Sequence, residues 1–298
     1  MDEIVKLDSV TAYNTMRGVK TLHPLVSVLD LSEAKPMPSR TFNFGIYAVY
    51  LKELNCGEIK YGRGHYDYQE GTLVFIAPGQ VMAVERKTKA PEPKGRALLF
   101  HPELIKGTSL GKHIHDYSFF SYDVNEALHL SDKERQIILD CFGKIEYELE
   151  HAIDKHSKTL ITANIELFLN YSTRFYDRQF ITRDNAHKGI LEKFEELLNG
   201  YFSSDKPAQI GLPTVAYCAE ELNLSPNYFG DLIKKDTGKS AQEYIQTKIM
   251  DIAKEKIFDF SKSISEVAYE LGFKYPQHFT RSFKQHIGYT PNEYRNLN

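Results

Sequence analysis

The 298-residue sequence contains no tryptophan and only three cysteines, Cys56, Cys141 and Cys218, at wide and irregular spacing. No CxxC pair or zinc-ligand pattern occurs, so neither a disulfide framework nor a structural metal site is indicated, and the thiols read as reduced and buried. Long apolar runs are missing too; nothing approaches the roughly 20 residues needed to cross a bilayer. The opening Met1-Asp2-Glu3-Ile4 carries acids instead of an apolar leader, so the expected location is the cytoplasm, with no membrane partner. Neither sign of charge dominates: 37 basic and 40 acidic residues give a net charge of −3. That excludes a nonspecific polycation and leaves room for local positive charge. There is no glycine-rich phosphate loop and no nucleophile elbow, so neither an enzyme nor a cofactor is expected.

What is present is a hydrophobic content of 42%, ample for packed cores. At roughly 100–200 residues per domain, two domains are expected. Residues 1 to about 40 carry Pro24, Pro36 and Pro38 and suit an irregular lead-in. From about Arg40 to Phe100 the texture is β. Phe44 to Leu51 is apolar, Glu58 to Tyr68 is punctuated by glycine, Thr72 to Gly79 ends in Pro-Gly, and Arg96 to Phe100 forms a further short run. Such strands suggest a small barrel or jelly roll. A capping box at Ser131 and Glu134 then opens a helix through Ile138, Cys141, Phe142, Ile145 and Leu149, and a second runs from about Thr159 to Phe175. These two helices either cover the barrel or offer a homodimer seam; an apolar stripe alone does not decide. The polar stretch 179–187 reads as a linker, which gives domains 1–178 and 188–298.

The decisive signal is an internal repeat. Ala219, Glu221 and Leu222 recur as Ala268, Glu270 and Leu271 at an offset of 49. After one inserted residue, Phe229, Lys234, Gly238, Glu243 and Tyr244 recur as Phe279, Lys284, Gly288, Glu293 and Tyr294 at an offset of 50. Each copy, about 212–240 and 263–290, has helix-turn-helix grammar. In the first, Asn223 supplies the tight turn, Leu224 anchors it, and Ser225-Pro226 open a second helix burying Phe229, Leu232 and Ile233. In the second, Ser263 and Glu266 form a capping box, Gly272 turns, Phe273 anchors, and Pro276 opens a helix burying Phe279 and Phe283. Ala241 to Phe260, free of Gly and Pro, predicts a connecting rod of roughly 30 Å, close to the roughly 34 Å turn of a duplex. From Phe273 to Asn292 there is no Asp or Glu, while Lys274, Arg281 and Lys284 are present, as a phosphate-facing surface requires.

The stretches Leu224-Ser225-Pro226-Asn227-Tyr228-Phe229, Lys234-Lys235-Asp236-Thr237-Gly238, Ile264 to Phe273 and Gly288 to Arg295 resemble the DNA-binding domain of the AraC family of bacterial transcription regulators. The resemblance implies a sequence-specific activator or repressor bound to double-stranded promoter DNA, with RNA polymerase as a partner where it activates. It places base-reading positions at Gln277, His278, Thr280 and Arg281, and at Asn227, Tyr228 and Asp231. Arg suits guanine and Gln adenine. Lys274, Lys284, Lys234 and Lys235 would hold phosphates. Gly230 and Asp231 depart from the family pattern, so the second unit should dominate specificity. Ile249 stands where the family usually has an arginine.

Less specifically, residues 40–120 resemble the cupin-like sensor domain of such regulators, through Thr72 to Gly79 and Phe100-His101-Pro102. The fold expected is therefore α+β and multidomain: a cupin-like β-barrel with flanking helices, which suits a small-molecule effector, followed by an all-α tandem helix-turn-helix domain. The full cupin metal pattern is absent. His65 with Asp67, and His113 with His115, are the best remaining ligand candidates. The alternatives weighed are a metal-dependent cupin enzyme with a helical appendage and a helical protein–protein adaptor.

Overall fold

The computed structural model describes residues 4–52, 59–61, 64–66, 71–84, 94–122, 126–182 and 184–296. The chain divides into two compact units, Met1–Thr182 and Arg183–Asn298.

The first unit contains two five-stranded sheets. One runs in the order β1 (Val5–Leu7), β3 (Thr41–Phe44), β8 (Val81–Val84), β5 (Ile59–Tyr61) and β6 (Gly64–Tyr66). The other runs β10 (Leu128–His129), β7 (Thr72–Ile76), β4 (Tyr47–Lys52), β9 (Gly95–Phe100) and β2 (Val26–Asp30). Among the described residues only β1 pairs parallel, with β3; every other ladder is antiparallel. In the second sheet Val49 sits opposite Phe75 on one side and Leu98 on the other. Side chains alternate across a strand, so Ala48, Tyr50, Ala97 and Leu99 join Phe42, Phe44 and Met82 of the first sheet in a common core.

The opposite face of the second sheet is also covered. Helices α4 (Asp132–Glu150) and α5 (Ser157–Thr182) lie over it, and Phe75 stacks with Phe168 of α5 at 6.1 Å between ring centres. Burial on both faces explains why Leu73 to Ile76 reads as an unbroken apolar run. Of the two uses open to these helices, the contacts show the covering one. The capping box at Ser131 and Glu134 forms as expected. Gln179 ties α5 to β10, accepting from the His129 amide at 2.8 Å and donating to the Ala127 carbonyl at 3.2 Å.

The lead-in is more ordered than its prolines suggest. Ser9 caps helix α1 (Val10–Arg17) by accepting from the Ala12 amide at 3.1 Å, and Gly18 ends it in the left-handed region. Val10 and Tyr13 of α1 enter the core between the sheets, and β2 pairs with β9. The burial that orders this segment comes from strands far along the chain, which a local reading does not contain.

The second unit is helical: α6 (Asp184–Phe202), α7 (Lys206–Ile210), α8 (Val215–Glu221), α9 (Pro226–Thr237), α10 (Ala241–Ile257), α11 (Ile264–Glu270), α12 (Pro276–Ile287) and α13 (Pro291–Asn296). The stretch 179–187, expected as a linker, is helical on either side of residue 183. Phe194 of α6 anchors the first part of the unit, meeting Phe229 edge-on at 4.9 Å and Tyr244 at 5.3 Å. Among the described residues no helix is long and apolar enough to cross a membrane.

Candidate nucleic-acid interface

Each helix-turn-helix is built by local chemistry that can be followed atom by atom. Thr214 caps α8 by accepting from the Tyr217 amide at 3.1 Å. The chain then turns through Asn223 at φ 56, the one non-glycine with positive φ among the described residues. The Leu224 amide closes the turn on the Ala219 carbonyl at 2.9 Å. Ser225 caps α9, with Pro226 in the first turn, where a missing amide costs nothing.

The second unit repeats this scheme with different residues. Ser263 and Glu266 form the capping box of α11, Gly272 turns at φ 92, and the Phe273 amide bonds to the Ala268 carbonyl at 3.0 Å. Pro276 opens α12. Both second helices end on a left-handed glycine: the Gly238 amide donates to the Lys234 carbonyl and the Gly288 amide to the Lys284 carbonyl, each at 2.9 Å. The sequence repeat is therefore a repeat of hydrogen bonds, and the side chains that bury it, Phe229, Leu232, Ile233, Phe279 and Phe283, are fully enclosed.

Between the units α10 is shorter than the run of apolar residues suggests. It stops at Ile257, so its 17 residues span about 25 Å. Phe260, the expected end of the rod, is 72% exposed. Its end is held by Arg295 of α13, whose guanidinium donates to the Ile257 carbonyl at 2.6 Å and the Lys262 carbonyl at 3.1 Å. A cation at a helix C-terminus also complements the helix dipole. Near the middle of α10, Gln246 donates to the Ser282 hydroxyl of α12 at 2.6 Å. At its start, Tyr244 hydrogen-bonds to Glu195 of α6. Burial, and then the Glu195 carboxylate, push the Tyr244 hydroxyl up to about 12. Ile249 is buried, so it takes no part in a phosphate contact.

The expected reading residues distribute unevenly. On α12, Gln277, His278 and Arg281 are exposed and Thr280 is half-buried. Gln277, Arg281 and Lys284 follow one another at helical spacing, on the face opposite Phe279 and Phe283. Gln285 extends this face one turn beyond Arg281, exposed and not singled out by sequence, although the same spacing would have found it. Lys274 and Lys284 are exposed, and the Lys274 ammonium lies 5.6 Å from the centre of the Tyr275 ring.

On α9 the face is poorer. Asn227, Lys234 and Lys235 are exposed and Asp231 is half-buried. Tyr228 departs from the expectation: it is only 3% exposed, packed beside Phe229, because it falls on the inward side of the helix that its neighbour Asn227 avoids. A β-carbon built at Gly230 meets nothing within 4 Å, so this helix carries a gap where α12 carries side chains.

Of the metal-ligand candidates, His113 and His115 fall among the described side chains. Among the described residues no three His, Cys, Asp or Glu side chains lie together as a metal site. His113 is exposed with its Nδ1 3.1 Å from the Ser109 carbonyl, and His115 is exposed nearby. The side chains of His65 and Asp67 lie outside the described residues.

Comparison with known proteins places this region. Residues 218–297 match the family described as a helix-turn-helix domain. The chain is 30% identical over 112 residues to the uncharacterized HTH-type transcriptional regulator YtdP of Bacillus subtilis, covering 38% of this chain and 14% of YtdP. It is 35% identical over 83 residues to the uncharacterized HTH-type transcriptional regulator YobQ of the same organism, covering 28% of this chain and 34% of YobQ. Among solved structures, the C-terminal domain of AraT, a response regulator from Geobacillus stearothermophilus, aligns at 28% identity and a TM-score of 0.33, covering 37% of this chain and 85% of that one. The chain thus spans a minor part of the length of the curated relatives it matches. Its C-terminal part carries an AraC-type helix-turn-helix domain, and its relatives there are named as transcriptional regulators.

Proposed function

We propose that this protein is a sequence-specific transcription regulator that binds promoter DNA through both helix-turn-helix units, with α12 as the principal reader. The observation that carries the reading is the matched pair of units, one of which presents Gln277, Arg281 and Lys284 along one exposed helical face in a stretch free of acids. Arg281 and Gln277 have the fork geometry for guanine and adenine edges, with His278 and Thr280 beside them. Lys274, Lys284, Lys234 and Lys235 supply the phosphate contacts that dominate affinity. On α9 only Asn227 and Asp231 remain as readers, which makes the first unit the weaker one.

In this reading the first unit is a cupin-like sensor that takes a small effector. The outward side of α4 and α5, where Tyr147, Leu160 and Leu167 are exposed, would be the homodimer seam, and RNA polymerase is the partner where the protein activates. Genome-wide binding of the tagged chain, repeated at several salt concentrations, tests the central claim. Enrichment of one sequence class, with affinity falling steeply as salt rises, is expected; binding no better than to random duplex overturns it. A protein–protein adaptor would leave DNA affinity untouched by Arg281→Ala.

A further inference from the structure

The first unit contains a cleft of about 640 Å³ on the helix-covered side of its second sheet, away from the core shared by the two sheets. Its volume lies within the roughly 300–1,000 Å³ of small-molecule sites. Tyr47 and Phe120 contribute aromatic surface, with Ile105 and Ile114 beside them, and all four are buried. Tyr47 is held flat by stacking on Phe100 at 4.8 Å and by the edge of Phe120 at 5.0 Å. The walls are fixed before any ligand arrives. Gln80 accepts from the Ala77 amide at 2.8 Å and donates to the Phe120 carbonyl at 3.0 Å, joining the turn after β7 to the segment opposite. Tyr117 donates to Asn170 of α5 at 3.0 Å. A β-carbon at Gly111 would stand 2.2 Å from the Ile105 carbonyl, so only glycine lets these two lining segments approach so closely. Such a prebuilt site saves the ordering cost of binding.

Two polar features give the cleft a direction. Tyr47, which lines it, makes no hydrogen bond through its hydroxyl to a described residue. Burial raises its pKa, so it stays protonated and able to donate. At the exposed end, Lys106 and Glu103 present opposite charges 3.6 Å apart, with side chains 76% and 59% exposed. Exposed pairs of this kind contribute little to stability, so both groups are available to a ligand at small cost. An aromatic wall, a tyrosine hydroxyl and an exposed pair of opposite charges match an aromatic ring attached to a carbon that carries both an ammonium and a carboxylate.

We infer that this cleft binds a free aromatic amino acid, its ring against Tyr47 and Phe120, its carboxylate on Lys106 and its ammonium on Glu103. A ring hydroxyl would meet Tyr47, which favours a phenolic side chain. The inference rests on the reading of the first unit as an effector-taking domain and names the class of effector.

Calorimetry of the full chain without DNA tests it, with L-tyrosine as the probe and tyramine and 3-(4-hydroxyphenyl)propionate as counterparts that each lack one charge. Saturable binding of tyrosine, at least about 3-fold tighter than either counterpart, is expected. Tyr47→Phe should weaken it by about 3- to 10-fold while keeping the stacking, and Ser121→Trp, at an exposed lining position, should abolish it by filling the cleft. No saturable binding, equal binding of a counterpart, or binding unchanged in both variants overturns the proposal. Because no DNA is present, the result stands apart from the regulator reading. Tyrosine binding that leaves operator affinity unchanged supports the cleft and counts against ligand-controlled regulation.

Discussion

Gly211 and Gly272 pack back to back: a β-carbon on Gly272 would stand 2.7 Å from the Gly211 carbonyl carbon and 2.8 Å from its oxygen. Gly211 ends α7, ahead of the first helix-turn-helix, and Gly272 is the turn of the second, so this contact ties the end of α7 to the second helix-turn-helix at their backbones. Gly272→Ala should destabilise the second unit by about 1–3 kcal/mol, through both the clash and the strain of φ 92. Gly211→Ala should cost less, because its β-carbon would lie 3.6 Å from the nearest atom and only φ is at fault. Denaturant unfolding of the two variants checks the order.

Arg281→Ala should lower affinity for the preferred site by about 1–3 kcal/mol and relax selectivity at one base pair. Lys284→Ala should instead weaken binding evenly across sequences and reduce the salt slope by about 1. Titrations of specific and scrambled duplexes at graded salt separate the two behaviours.

Tyr228 and Asn227 should part company. Tyr228→Ala removes an enclosed ring and should cost about 3–5 kcal/mol of stability, with any loss of binding following from unfolding. Asn227→Ala should leave the melting temperature nearly unchanged and alter only DNA selectivity. Melting curves run beside binding curves distinguish them.

The cap carboxylates make the second unit acid-sensitive. Hydrogen bonds from the cap residues hold Glu243, Glu266 and Glu293 below the ordinary value of 4.5. A depressed carboxyl stabilises the fold above its unfolded pKa, and that contribution fades as pH falls through the folded value. The melting temperature of the second unit should therefore drop as pH goes below about 4.5. The triple change of these residues to Gln should lower it at neutral pH and flatten its dependence in that acid range.

Arg295→Met should loosen the C-terminal end of α10. Three backbone carbonyls, of Ile257, Asp259 and Lys262, lose their donor, and a cost of about 1–3 kcal/mol is expected. Faster amide exchange at residues 255–262 is the direct readout.

Much of the second unit was legible because its determinants are short-range. Ser225-Pro226, the Ser263–Glu266 box, Asn223 and Gly272 each specify a cap or turn within a few residues, and the structure forms every one of them. What escaped depends on distant partners. The expected rod runs to Phe260 because no Gly or Pro interrupts it, whereas Arg295 holds the end of the helix at Ile257 from 38 residues away. Tyrosine suits both surface and core, so the residue type alone does not place Tyr228; its burial in the folded unit assigns it inward. In the first unit, the apolar stretches of β4, β7 and β9 announced strands, but not that one sheet would be covered on both sides. Nor did they announce the cleft beside Tyr47, whose lining comes from segments scattered between residues 47 and 121.

The gap at Gly230 leaves the first helix-turn-helix with one blank position on a finished scaffold. Glycine inside a helix costs roughly 1 kcal/mol relative to alanine, so filling the blank strengthens α9 rather than straining it. Under the proposed function, sequence preference can therefore be redesigned here by a single codon, at a point where gaining a new contact and gaining rigidity pull the same way.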